Sequence, residues 1–260
     1  MRCCRAVVAG AACLMVAFSC YCLRAWHRDT LEIRRRVAPF VAGRTKASIL
    51  DASVRYMREQ VRAVPNDEYF LVPALSFLRP SALQVLDDGG DCSHQARALV
   101  VILRQFGIEA SKRAVFHHGS AVHTVLVVTT DSEEVVIDPL FHFAHRYPDG
   151  RAIPLERLRD PLVFSQSLEW ARDRGDLDRS TSYPRQYFLD DVRTIDWNRT
   201  RILHAAYQLL TQTIGAAAAN RITRPYVLEE PWLMASLLSG LASAALLLLQ
   251  RQLPRTPRLA

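Results

Sequence analysis

Two charge-free apolar runs, one near each end, limit what this chain can fold into more than any other feature. Ala6 to Cys22 is 17 residues without a charge, preceded by Arg2 and Arg5. Trp232 to Leu249 is 18 residues without a charge, about the length at which a helix spans a bilayer. Tyr226 and Trp232 suit one membrane interface, and Gln250 and Arg251 end the run at the other. The first run exceeds an ordinary signal-peptide core and no small-x-small cleavage site precedes Arg24, which favours an uncleaved anchor over residues 1–30. "AFSC" at 17–20 is a poor lipoprotein site, because Phe18 stands where a small residue is wanted. A buried core helix is the competing reading of 229–251, but such a helix normally keeps a polar stripe.

Ser236, Gly240 and Ala244 form a small-xxx-small row, and Ala6 with Gly10 a shorter one. Close packing of the two spans on each other, or of two copies, is the expectation. Two spans place both termini on one side of the membrane. Arginines 24, 28, 34, 35, 36, 221 and 224 flank the body, against 2, 5, 251, 255 and 258 on the tails. That balance leans towards a cytoplasmic body. The anchor-like N-terminus and the basic tail at 252–260 lean the other way, and we expect an extracytoplasmic body on a bacterial-type inner membrane.

The net charge of +7 is carried almost wholly by arginine, with Lys46 and Lys112 the only lysines. The arginines are scattered among acids such as Asp160, Asp173, Asp176 and Asp178, without aromatic interleaving. No nucleic-acid partner is expected from that pattern. Cys3, Cys4, Cys13, Cys20 and Cys22 lie in or beside the first apolar run, and Cys92 stands apart from them. A disulfide framework would need pairs spread through the body, and no cysteine falls at zinc-like spacing with a histidine.

Between the spans, Leu31 to Arg44 reads as a basic connector and 45–160 as the core domain. Leu50, Val54, Met57 and Val61 share one face of a predicted helix at 48–64, closed by Pro65. "NDEYF" (66–70) reads as a turn, and the segment up to Gly89-Gly90 as a short helix or loop. From Cys92 to Phe106 the apolar spacing predicts a helix stopped by Gly107. Ala110–Phe116, Ala121–Thr130 and 134–138 read as strands joined by turns at "HHGS" and 131–133, the middle one apolar on both faces. A helix followed by an antiparallel meander is an α+β layout. Residues 161–228 read as a polar excursion leading to a helix at 201–219.

Cys92 follows two glycines and falls in the first turn of its helix, where unpaired N–H groups and the dipole favour a thiolate. Alone it would more often be a packing residue. His123 lies on the central strand, where an unpartnered histidine would be costly, and a strand packed on the Cys92 helix can supply a base for a thiol. Asp138 ends the next strand, roughly opposite His123, and can orient the imidazole.

"GGDCSHQARALVVILRQFGIEA", then "HTVLVV", then "VVIDPLF" resembles the transglutaminase-like superfamily, a branch of the papain-like thiol enzymes. The matching points are Gly90-Asp91-Cys92, Gly107-Ile108-Glu109-Ala110, His123 and Asp138-Pro139, within roughly 48–145. The resemblance implies a papain-like core with Cys92 as nucleophile, His123 as base and Asp138 as orienting carboxylate. It implies attack on an amide or ester carbonyl of a protein, peptide or envelope polymer, through an acyl-thioester that water or an amine resolves. No cofactor or metal is called for. Val125 departs from the pattern, which often has an aromatic residue two positions after the histidine. The oxyanion hole would use the Cys92 backbone N–H and a second donor, for which Gln84 and Tyr69 are candidates.

Other readings compete with this one. A catalytically silent scaffold module would keep the fold without the chemistry. His142 and His145 have metal-compatible spacing but no evident third ligand, the basis of a metal-dependent hydrolase reading. His94 can line the site or cap a turn, and His117 and His118 are expected in solvent. Asp87, Asp88 and Asp91 can attract a cation, although acids at a helix start usually serve the dipole.

Overall fold

The computed structural model describes residues 2–41, 45–63, 80–131, 133–181, 183, 191–195, 197 and 201–252. Tyr69, the turn at 66–70 and the tail beyond 252 lie outside them. The chain divides into two compact units, Met1–Glu32 with Tyr226–Ala260, and Ile33–Pro225.

In the first unit, two helices are long and apolar enough to cross a membrane. They are α1 (Arg2–Val41), which continues past the unit boundary, and α8 (Pro231–Gln252). They pack on each other through small polar residues, as lipid-exposed helices do when small side chains let backbones approach. The Ser19 hydroxyl donates to the Ser236 carbonyl at 3.0 Å and lies 2.8 Å from the Ser236 hydroxyl. The Ser243 hydroxyl donates to the Ala12 carbonyl at 3.1 Å. Trp232 Nε1 donates to Asp29 Oδ2 at 3.0 Å. The packed row of α8 is therefore Ser236, Ser239 and Ser243 with Gly240 beside it, all but Gly240 buried. Ala244, expected in that row, is exposed, as are Ala6 and Gly10. The reason is the 3.6-residue turn: Ser239 and Ser243 continue the stripe from Ser236, and Ala244 rotates off it. Of the connector at 31–44, the described part is helical up to Val41 with Pro39 in its last turn, and Ile33, Val37 and Val41 are buried at helical spacing.

The second unit is α+β. Its sheet has the order β4-β3-β2-β1-β5, with β1 Glu109–His117, β2 Ser120–Thr129, β3 Glu134–Asp138, β4 Phe143–Ala144 and β5 Asp191–Arg193, all neighbours antiparallel. β2 is central, which explains why both of its faces are apolar. Lys112 of β1 reaches Ser93 on α4 (Cys92–Gln105), so Leu126, paired with Lys112, turns to the same side. Val125 and Val127 turn the other way, into a cluster with Val163, Phe164 and Leu168 of α5 (Pro161–Asp173). Helices thus cover both faces, and each fully buried Leu or Val contributes about 1.5–3 kcal/mol.

That cluster revises the expected solvated excursion. Within 161–183, Val163, Phe164, Leu168, Ala171, Leu177 and Tyr183 are buried, because they recur at helical spacing on one face of α5 and in the turn after it. Asp160 starts this helix by accepting from the Leu162 N–H, with Pro161 in its first turn.

Two helices stop short of their expected ends. α2 (Lys46–Gln60) closes at Val61, which is extended at φ −114°, and Ala63 then pairs with Gly90 in a parallel bridge. The helix predicted over 201–219 breaks into α6 (Arg201–Ile214) and α7 (Ala216–Arg221) at Gly215, whose φ of 83° no helix accommodates.

Candidate active site

The site grows from the double glycine. α3 (Ala82–Asp88) begins with a capping box in which Ser81 and Gln84 satisfy each other's backbone N–H groups. Gly89 ends it at φ 92°, a conformation that favours glycine. Gly90 serves a different need. A Cβ on it would lie 2.7 Å from the Cβ of His94, so only glycine lets the chain pass this close to the first turn of α4. The Gly90 N–H donates to the Arg62 carbonyl at 3.0 Å, and its carbonyl accepts from Gln95 Nε2 at 2.7 Å. Asp91 then caps α4 by accepting the His94 N–H at 2.8 Å.

Cys92 is the first residue of α4, half-buried and a free thiol. Its thiol lies near enough to the His123 ring to act on the charge of the imidazole. His123 Nε2 lies 2.8 Å from Asp138 Oδ2, with both side chains essentially sealed from solvent. Asp138 is not directly opposite His123. Leu126 pairs with Ile137, so the register places Asp138 beside Val125 and His123 two residues farther along the same face. Such diagonal neighbours are within reach of long side chains.

Asp138 is held by more than the histidine. Its Oδ1 accepts from the Leu140 and Phe141 N–H groups at 2.9 and 3.0 Å. The Tyr183 hydroxyl donates to its Oδ2. Burial pushes this carboxyl up, but His123, Tyr183 and the Phe141 N–H outweigh it and bring the pKa to about 2. Burial pulls His123 down, and the charge and hydrogen bond of Asp138, with Cys92 adding to them, override it and raise the histidine to about 10. The pair is a carboxylate and an imidazolium.

A second buried cation flanks α4. Lys112 Nζ donates to the Ser93 carbonyl at 3.1 Å and to its hydroxyl at 3.2 Å, with 8% of the residue exposed. Burial favours a neutral Asp91, but His94 and the Lys112 charge hold its carboxyl below the usual range.

The remaining candidates fall as follows. Gln84 Oε1 accepts from the Ser81 N–H at 2.7 Å, which commits that oxygen to the capping box. His94 Nδ1 is 3.0 Å from Asp91 Oδ1. Asp87 pairs with Arg36, so it and Asp91 each have a structural partner. His142 Nε2 bonds Gln95 Oε1, and His145 Nδ1 lies 2.9 Å from the Ser167 hydroxyl. Burial holds both histidines down at about 4, as neutral imidazoles. They engage separate partners, and among the described residues no group of three His, Cys, Asp or Glu side chains is arranged to hold a metal. His118 is exposed, whereas His117 is half-buried at the end of β1.

Sequence spacing alone did not identify Tyr183, Gln95 or Lys112. Tyr183 sits in a stretch with no strand or helix period. Lys112 carried one signal, as one of two lysines in an arginine-rich chain. No protein-family model, no curated protein and no solved structure matches the chain.

Proposed function

We propose that the chain is a membrane-tethered thiol acyl-transfer enzyme of the transglutaminase-like type, with a papain-like core. The observation that carries this reading is the sealed His123–Asp138 pair at 2.8 Å, with Cys92 at a helix start acting on the same imidazole. A merely packed cysteine needs no such partner, whereas a nucleophilic thiol needs a base and an orienting group.

In this mechanism Cys92 reacts as the thiolate, its proton already held on the His123 imidazolium; Sγ bonds to the carbonyl carbon of an amide or ester as the carbonyl π pair moves onto the oxygen. The tetrahedral adduct collapses, its carbon–nitrogen or carbon–oxygen bond breaks, and the His123 proton leaves with the amine or alcohol. Water or a second amine then adds to the thioester, gives its proton to His123, and releases the acyl group from Cys92. Asp138 keeps the imidazole oriented throughout and stabilises its cationic form. The Cys92 backbone N–H is the first oxyanion donor in this mechanism. The substrate class is an amide or ester of a protein, peptide or envelope polymer, and α1 and α8 tether the body on the extracytoplasmic side.

Intact-mass analysis after incubation with a membrane extract tests this reading. An adduct on Cys92 that accumulates in wild type, disappears on thioester cleavage by hydroxylamine and is missing from Cys92→Ala supports it. No hydroxylamine-labile adduct on the wild-type chain, under conditions where the folded protein is intact, contradicts it and favours a scaffold role.

A further inference from the structure

Away from Cys92, a cavity of about 350 Å³ opens between α2, the chain after β4 and the end of α5. Arg55, Arg58, Arg146 and Arg174 line it, together with Trp170, against only two carboxylates, Asp51 and Asp176. It shares no residue with the Cys92, His123 and Asp138 cluster.

Three of the four guanidiniums are already fixed. Arg58 donates to Asp176 at 2.9 Å and, through Nε and Nη2, to the His142 carbonyl at 3.2 and 2.6 Å. Arg146 donates to Glu133 and to the Gly150 carbonyl, both at 2.9 Å, and its Nη2 is 3.8 Å from Asp51. Arg174 reaches Asp176 at 3.3 Å with its guanidinium 4.8 Å above the Trp170 ring. Arg55 is exposed on α2, with its charge felt by Asp51.

The balance of these contacts is uneven. Asp176 serves Arg58 and Arg174 at once, so one negative charge answers two positive ones. Asp51 stands nearly 4 Å from Arg146, too far for a firm hydrogen bond, and with Glu133 answering Arg146 from outside the lining the cavity keeps an excess of one positive charge. A concave surface with excess charge of one sign concentrates the opposite ion. Guanidiniums held in place before binding lose little freedom when an oxyanion arrives, and their forks match carboxylate and phosphate oxygens. The volume lies at the lower end of small-molecule sites, which suits a compact ligand rather than a polymer.

We propose that this cavity binds a small anionic ligand through its carboxylate or phosphate group, held by Arg55 and Arg146. The site is independent of the acyl-transfer reading, and either can fail without the other. Binding of inorganic phosphate and of citrate to the purified full chain in detergent, followed by calorimetry at constant ionic strength, tests it. Saturable binding of phosphate points to a phosphate ester as the natural ligand, and saturable binding of citrate to a carboxylate. In either case Arg55→Glu weakens it about tenfold or more, while Cys92→Ala leaves it unchanged. Arg55 is exposed and its replacement does not disturb the fold, so a thermal melt like that of wild type accompanies the loss. Absence of saturable binding of both anions to wild type overturns the proposal, as does undiminished binding by Arg55→Glu.

Discussion

The Tyr183 hydroxyl and His123 Nε2 meet on one oxygen of Asp138, although Tyr183 lies 45 residues beyond that carboxylate. The tyrosine ring is held 4.7 Å from Phe141 and 5.5 Å from Phe164 by centroid distance, so its hydroxyl has little freedom to turn away. Removing that donor leaves Asp138 with weaker support for its charge, and its pKa rises. Tyr183→Phe is expected to move the acid limb of Cys92 labelling by a thiol probe to higher pH, and to cost about 1–2 kcal/mol of stability. A pH–rate profile that superimposes on wild type would show that the contact is packing only.

Gly90 gives a sharper steric prediction. With a Cβ only 2.7 Å from the Cβ of His94, Gly90→Ala must push the start of α4 away from the bridge to Ala63. The expected cost is about 1–3 kcal/mol, accompanied by slower Cys92 labelling because the nucleophile moves with the helix. Gly107→Ala is the comparison: its φ of 72° is strained for alanine, yet no atom lies within 4 Å of the new methyl. It should lower the melting temperature while sparing the labelling rate of the folded protein.

Much of this unit was legible because its residues repeat with a period. Apolar spacing located α4 and its stop at Gly107, and a β-branched run apolar on both faces located β2 at the centre of the sheet. The grouping of Cys92, His123 and Asp138 was legible because a helix start and two neighbouring strands carry them. What escaped depends on contacts between distant stretches. Tyr183 has no periodic neighbours to mark it, and α5 was masked by the charged "RDRGDLDRS" that follows its buried face. The exact pairing of β2 with β3 was misplaced by two residues, because a turn's length does not fix register until the hydrogen bonds are formed.

The buried histidines set a pH dependence whose sign differs from residue to residue. His142 and His145 have folded pKa values of about 4, below their ordinary 6.5. The unfolded chain therefore takes up protons first, and stability falls as pH drops from 6.5 towards 4. The loss is on the order of 2 kcal/mol for each between pH 6.5 and 4.5. His123, raised to about 10, contributes stability that is complete below 6.5 and is lost as pH rises towards 10. Asp138, lowered to about 2, loses its contribution only between 3.8 and 2. Melting temperature measured across pH should peak near pH 6.5–7. His142→Gln with His145→Gln should flatten the acid side, and an unchanged acid slope would place the titration elsewhere.

Ser19 of α1 meets Ser236 and Gly240 of α8. A Cβ on Gly240 would sit 3.9 Å from the Ser19 hydroxyl, an ordinary contact. Gly240→Ala is thus expected to be neutral within about 0.5 kcal/mol, whereas Gly240→Leu drives a branched side chain into the seam and costs about 1–3 kcal/mol. Thermal unfolding in detergent separates the two, and equal effects of both substitutions would contradict the packed seam.

The central claim is that His123 and Asp138 make Cys92 a nucleophile. It is tested most directly by the second-order rate of Cys92 alkylation by iodoacetamide in the full-length chain, followed by mass spectrometry near neutral pH. Wild type should react well above the rate of a free cysteine in a short peptide, and His123→Ala should lower that rate by about 10²-fold or more while leaving the melt cooperative. A wild-type rate no faster than the peptide's, or one indifferent to His123→Ala, would contradict the account.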